Sequence, residues 1–297
     1  RDGLPTLETS ALYEDTDGSM WIGTYTEGAV RWFSGRTQRF GAGQGLPSVD
    51  VRSFLRDSRG YLWVGTKAGV ARWNGKAFET IKGPNAPTEG VAAMLEDRQK
   101  RVWFGTTGGG LYKFEAGEFS VLTRKEGLSS NWIISLFEDS RGALWAGTGG
   151  EGIIRIKADR VSVIRPADGI WDGVVQTLLP DRFGNLWVTC NRGFYKVSQA
   201  ELDAFADGRA SKVNSTGFGP GDALRSTTFA GGLQPAGSID ARGRLWLASF
   251  SGLVIVDPAR LPGEGRAPVA AVEEALVNGH AANWRRGVVV PAGPQSV

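Results

Sequence analysis

Six aspartates, Asp15, Asp57, Asp97, Asp139, Asp181 and Asp240, recur at regular spacing along the 297-residue chain. Carboxylates in register could serve as acid–base groups or gather around a calcium ion. Either chemistry needs one asymmetric constellation, whereas a feature present six times belongs to whatever repeats. Each Asp opens a segment of the form Asp-x-x-Gly, where a short carboxylate side chain accepts backbone N–H bonds across its own turn. That reading is structural. Other versatile residues are few. The single cysteine, Cys190, excludes an internal disulfide framework and a multi-cysteine zinc site. It stands where other copies carry threonine, so a buried small side chain is expected rather than a reactive thiol. The single histidine, His280, has no serine or carboxylate constellation tied to it, which removes most metallohydrolase and Ser-His-Asp designs. Arg98-Gln99-Lys100-Arg101 lacks interleaved aromatics and reads as a solvated turn, not a nucleic-acid patch. No catalytic residue, metal site or cofactor is expected.

The elements around these residues follow from the full motif, Asp-x-x-Gly-x-apolar-Trp-apolar-Gly-Thr. Its tryptophans are Trp21, Trp63, Trp103, Trp145, Trp187 and Trp246, at spacings of 42, 40, 42, 42 and 59 residues. The third copy has Lys100 in place of the turn glycine, and the last two end in Thr189-Cys190 and Ala248-Ser249. One period reads as four strands: Val51 to Leu55, Tyr61 to Thr66, Val70 to Trp73, and Lys76 to Ile81 after an Asn74-Gly75 hairpin turn. Four short strands every 42 residues fit a propeller blade and not a helical solenoid. The 43 glycines, 11 Trp and 14 Phe against 2 Met agree with many turn-bounded strands packed by aromatics. Apolar residues on both strand faces suit a sheet held between neighbours, and the Gly that accompanies the Trp in the first four copies lets the next backbone approach closely.

The expected fold is therefore an all-β propeller of four-stranded antiparallel blades, with six repeats closing as a six-bladed ring or forming part of a seven-bladed one. The long fifth spacing implies an insertion, and Gln199 to Ala206 reads as a short helix. The propeller is expected over residues 1–262 and the start of another domain over 263–297. Arg1 opens the chain without a starting Met or signal-peptide pattern, which reads as a segment of a longer protein. No apolar run reaches membrane-spanning length.

Several segments resemble the two-component regulator propeller repeat. These are Leu62-Trp63-Val64-Gly65-Thr66, the Gly45-Leu46-Pro47-Ser48 and Gly127-Leu128-Ser129-Ser130 loops, and the Gly-apolar-x-Arg third strands. The end, Gly243-Arg244-Leu245-Trp246 through Val256-Asp257-Pro258, is similar to that family's closing repeat, and so is Arg225-Ser226 with Gly231 to Gly237. Ala267-Pro268-Val269 to Val277-Asn278-Gly279 resembles the first strands of the immunoglobulin-like domain that follows such propellers. The resemblance implies the extracytoplasmic, periplasmic sensor portion of a bacterial inner-membrane signalling protein, with a kinase, cyclase or DNA-binding output downstream. It implies a homodimer in the full-length protein, and membrane contact only through a segment outside these residues.

Function is expected where the copies differ. Loops after the second strands carry Tyr25, Glu27, Lys67, Thr107, Glu151, Asn191, Arg192 and Phe250; blade-linking loops carry Asp50, Glu89, Trp132, Trp171, Asp172 and Arg225. Aromatic, charged and amide groups together suit a small polar ligand with a stackable face, such as a saccharide. Trp132 and Trp171 stand out, because a loop tryptophan needs burial or a partner. Two alternatives remain at this stage. A lyase- or lactonase-type propeller enzyme would draw histidines or clustered carboxylates into its channel, and a protein-interaction scaffold would expose a broad apolar patch.

Overall fold

A computed structural model describes Leu4, residues 8–222, Leu224, 226–261, 275–277 and 280–282. The chain divides into two units, Arg1–Pro258 and Ala259–Val297. The first is a six-bladed β-propeller. Blade 1 comprises Thr9–Glu14, Met20–Thr24, Ala29–Phe33 and Arg36–Phe40. Blade 2 comprises Val51–Arg56, Leu62–Thr66, Gly69–Trp73 and Phe78–Thr80, and blade 3 Val91–Glu96, Val102–Thr106, Leu111–Glu115 and Glu118–Leu122. Blade 4 comprises Ile133–Glu138, Leu144–Thr148, Ile153–Lys157 and Arg160–Ile164. Blade 5 comprises Leu179–Pro180, Asn185–Cys190, Gly193–Ser198 and Ser215–Phe218, and blade 6 Gly237–Ile239, Leu245–Ser249 and Gly252–Val256. All strand pairs are antiparallel between sequence neighbours, as short hairpin connections require. The sixth sheet has three strands among the described residues. Of the second unit, a two-strand pairing of Ala275–Val277 with His280–Ala282 is described; Ala267 to Val269 lie outside the described residues.

The repeated aspartates do what their turns demand. In blade 2, Asp57 Oδ1 accepts from the backbone N–H of Arg59 and Tyr61 at 3.1 and 2.8 Å. Its Oδ2 accepts from the Trp63 indole at 2.9 Å, a partner that the turn alone does not reveal. Lys100, which replaces a turn glycine, takes the same left-handed backbone at φ 66°. Trp63 then packs into the seam against Phe104 and Phe114 of blade 3. Close approach of sheets is enforced by glycine: a Cβ on Gly147 would sit 2.5 Å from the Val175 carbonyl of the next blade.

The apolar positions at which blades 6 and 1 would pack on each other are exposed. Leu253 is 56% exposed, whereas Val70, Leu111 and Ile153 at the matching position are fully buried. Leu12 of blade 1 is likewise 52% exposed, against 3% for its counterpart Phe54.

The helix forms over Gln199–Ala206, capped by the Ser198 hydroxyl accepting from the Glu201 N–H. It closes the seam between blades 4 and 5. Leu202 is buried there, and Asp203 meets the buried Arg155 at 3.2 Å; Arg155 also binds Asp207 at 2.6 Å. Losing Asp203 leaves the buried Arg155 with Asp207 as its remaining partner. Asp203→Ala is expected to cost about 1–3 kcal/mol, read from the denaturant midpoint, more than the double change Arg155→Met/Asp203→Leu.

Candidate functional site

The loops following the second strands converge on one mouth of the central channel. A cavity of about 410 Å³ lies there, and its lining draws on every blade. Tyr25, Arg52, Thr107, Trp132, Asn191 and Phe250 are its side-chain landmarks. Trp132 is half exposed, with its ring laid on Gly149, where a Cβ would come within 2.5 Å of the indole. Phe250 is 81% exposed, an arrangement suited to stacking. Arg52 is oriented by Asp50 through two bonds of 3.2 and 3.1 Å. Burial, with the Asp50 charge second, raises the Tyr25 phenol above its ordinary range, so it stays a neutral donor and acceptor.

The wall on blade 5 is an amide pair. Gln176 Nε2 donates to Asn191 Oδ1 at 3.0 Å, while the buried Gln176 Oε1 has no protein partner. The floor is the segment before blade 6. Gly231 packs on Gln176, where a Cβ would lie 2.5 Å from Cγ. Gln234 crosses to the opposite wall: its N–H donates to the Arg52 carbonyl at 2.9 Å. Its side-chain amide accepts from Met94 N–H at 2.6 Å and donates to Met94 O at 2.8 Å. This amide mimics one rung of a β-ladder and plugs the channel.

Of the residues singled out in the sequence, Tyr25, Thr107, Trp132, Asn191 and Phe250 meet in the cavity. Glu27 and Lys67 are exposed and Asp172 half-buried, none of them lining it. Trp171 instead lies over Gly217, where a Cβ would come 2.4 Å from its ring, beneath the Arg192 guanidinium at 4.8 Å from the ring centroid. That pair seals the edge of blade 5. Arg225 lies outside the described residues. Arg52, Gln176 and Leu233 were not apparent as site residues. Gln176 and Thr177 interrupt an apolar stretch, Val174-Val175-Gln176-Thr177-Leu178-Leu179, and that polar intrusion was the available signal.

Four segments, residues 3–26, 45–68, 86–108 and 127–150, match the model of the two component regulator propeller. No curated protein sequence matches the chain. The fold is similar to an extracellular domain assigned to a hybrid two component system of B. thetaiotaomicron (TM-score 0.52, 21% identity, covering 86% of this chain and 40% of that one). A second B. thetaiotaomicron extracellular domain aligns with TM-score 0.58 at 16% identity, covering 85% and 42%. Catalytically inactive virginiamycin B lyase from Staphylococcus aureus aligns with TM-score 0.59 at 15% identity, covering 84% and 80%. The chain thus spans about two fifths of the length of the extracellular domains it matches. Identities this low show shared architecture alone.

Cys190 ends the second strand of blade 5 beside this mouth and is fully buried. Burial, then the nearby Asp172, pushes its thiol up to about 12. At pH 8 almost none is thiolate, the form that reacts. Iodoacetamide at pH 8 is expected to leave the folded protein unmodified over hours and to alkylate Cys190 once in guanidinium, as read by intact mass.

Proposed function

Because the chain carries two-component regulator propeller repeats, we propose that it is the ligand-sensing part of an extracytoplasmic signalling protein, binding without bond chemistry. The observation that carries this reading is convergence: non-repeating side chains from every blade, aromatic, amide, hydroxyl and guanidinium, meet at one mouth, while the sixfold features stay in the seams. The regulator repeats and the likeness to extracellular domains of two-component systems support the same reading. A propeller enzyme of the lyase kind has less support, because no histidine occurs in residues 1–258 and the likeness to lyases is one of fold. No helix among the described residues is long and apolar enough to cross a membrane, so anchoring falls to another part of the protein in this reading.

The ligand class follows from the lining. Trp132 and Phe250 offer faces for a sugar ring or flat metabolite, and Tyr25, Asn191, Gln176 and Arg52 offer donors and acceptors for its hydroxyls. A ligand signals only by favouring one of two arrangements, and a tenfold preference is worth about 1.4 kcal/mol. The two arrangements belong to the full-length dimer in this proposal, since packed blades are stiff.

A thermal-shift screen of oligosaccharides and polar metabolites tests the proposal. A ligand at 100 times its Kd stabilises by about 2.7 kcal/mol. Trp132→Ala and Asn191→Ala should each weaken a hit at least tenfold, and Arg59→Ala, in a turn between first and second strands, should not. Equal loss in all three would place binding elsewhere, and turnover of a glycoside or lactone would overturn the sensor reading.

A further inference from the structure

The strand registers make the seams directly comparable, and one of them is underfilled. In the seam between blades 1 and 2, Trp21 is surrounded by Phe40, Trp73 and Phe78. Between blades 2 and 3, Phe114 and Phe119 occupy the positions of Trp73 and Phe78 against Trp63. The helix does this work between blades 4 and 5. Between blades 3 and 4 the three matching positions hold only Leu122, Ile156 and Val161. The inner strand also loses a tie there. Ser53 and Ser135 each donate to a carbonyl of the next blade at 2.9 Å, and the equivalent residue of blade 3 is Ala93.

The result is a cavity of about 460 Å³ beside Trp103, within the size range of small-molecule sites. It adjoins the turns between first and second strands, and shares no lining residue with the channel mouth. Its apolar side is made by Trp103, Leu122, Leu144, Ile156 and Val161, and polar and charged side chains line the rest. The third-strand cation that lies over the blade tryptophan in blades 1, 2 and 4, Arg31, Arg72 and Arg155 at 5.6–5.8 Å, is replaced by Lys113, which turns to Glu115 at 2.9 Å. Arg101 covers Trp103 instead, at 5.3 Å. The lining carries the buried Asp97 and, toward solvent, Glu126, Glu138 and Asp159, against Arg101 and Lys113, with Arg98 facing Glu138 from outside at 3.9 Å. Arg101 is already bound to Asp97 at 2.6 Å.

We infer that this seam is a second binding site, selective for a small organic amine with an apolar body. The body replaces the missing rings beside Trp103, Ile156 and Val161, and the ammonium pairs with the rim carboxylates. A neutral molecule of the same shape gains only the apolar part. An anion meets net repulsion.

The probe is 2-phenylethylamine, compared by calorimetric titration with 2-phenylethanol and 3-phenylpropionate. The amine should bind at least tenfold tighter than either analogue, and Trp132→Ala at the channel mouth should leave that affinity unchanged. Ile156→Phe/Val161→Phe restores the rings of the neighbouring seam, and should raise the melting temperature while abolishing binding. Leu122→Phe, which copies Phe40, is a single change with the same expected loss if the double variant does not fold. Glu138→Gln/Asp159→Asn should shrink the preference for amine over alcohol severalfold. Undiminished binding in a folded, refilled variant overturns the site, as does no binding of the amine. Equal affinity for the three probes overturns its selectivity for amines.

Discussion

A hydrogen bond between a turn carboxylate and an indole six residues later holds each blade together. It runs from Trp21 to Asp15 at 3.1 Å, Trp63 to Asp57 at 2.9 Å, Trp103 to Asp97 at 2.7 Å and Trp145 to Asp139 at 2.8 Å. Trp187 to Asp181 at 2.7 Å and Trp246 to Asp240 at 3.0 Å complete the set. A tryptophan buried in a dry seam must place its N–H, and a carboxylate buried in a turn must collect donors. Each solves the other's problem. Burial alone would raise the Asp97 carboxyl, but bonds from Trp103 and Arg101 outweigh it and hold it below the usual range. A lowered carboxylate stabilises the fold above its unfolded pKa and loses that contribution as pH falls through the folded value. The same bond fixes the indole that packs on the next sheet, so one local contact sets both turn and seam.

With that constraint met six times, variation is confined to places the constraint does not reach. Loops after the second strands and the blade-linking loops are free of it, and there the copies diverge into Tyr25, Thr107, Asn191 and Phe250, with Trp132 from a linking loop. The outer strands are also free of it, and seam filling differs from one blade pair to the next. Aromatic rings fill two seams, the helix with Arg155 and Asp203 fills another, and the seam beside Trp103 keeps a cavity. The channel plug is the third departure. Gln234 borrows hydrogen-bonding groups from the inner strand of blade 3, which ties an irregular segment across the axis.

Much of this was written in the sequence, because propeller physics is local and periodic. The motif located every blade tryptophan, the Asn74-Gly75 pair located a hairpin, and good helix formers located the helix at 199–206. The indole partner of the aspartates was less legible, since it depends on a twist that brings residues i and i+6 together across a turn. Trp171 and Arg192 illustrate the limit. Their types suited a ligand, yet they stack on each other and on Gly217, and only the fourth strand of blade 5 decides that. Gln176 and the plug were hidden for the opposite reason: their roles come from crossing the axis, a contact between residues as far apart as Met94 and Gln234.

The central claim is that sixfold residues build the ring and non-repeating residues meet the ligand. Indole ¹⁵N–¹H spectra of the eleven tryptophans, recorded with and without the most stabilising compound from the metabolite screen, test it most directly. The account predicts that the six carboxylate-bound indoles exchange slowly and keep their shifts, while Trp132 moves. Movement of a blade indole with Trp132 unchanged would contradict it, and so would rapid exchange at the six blade positions.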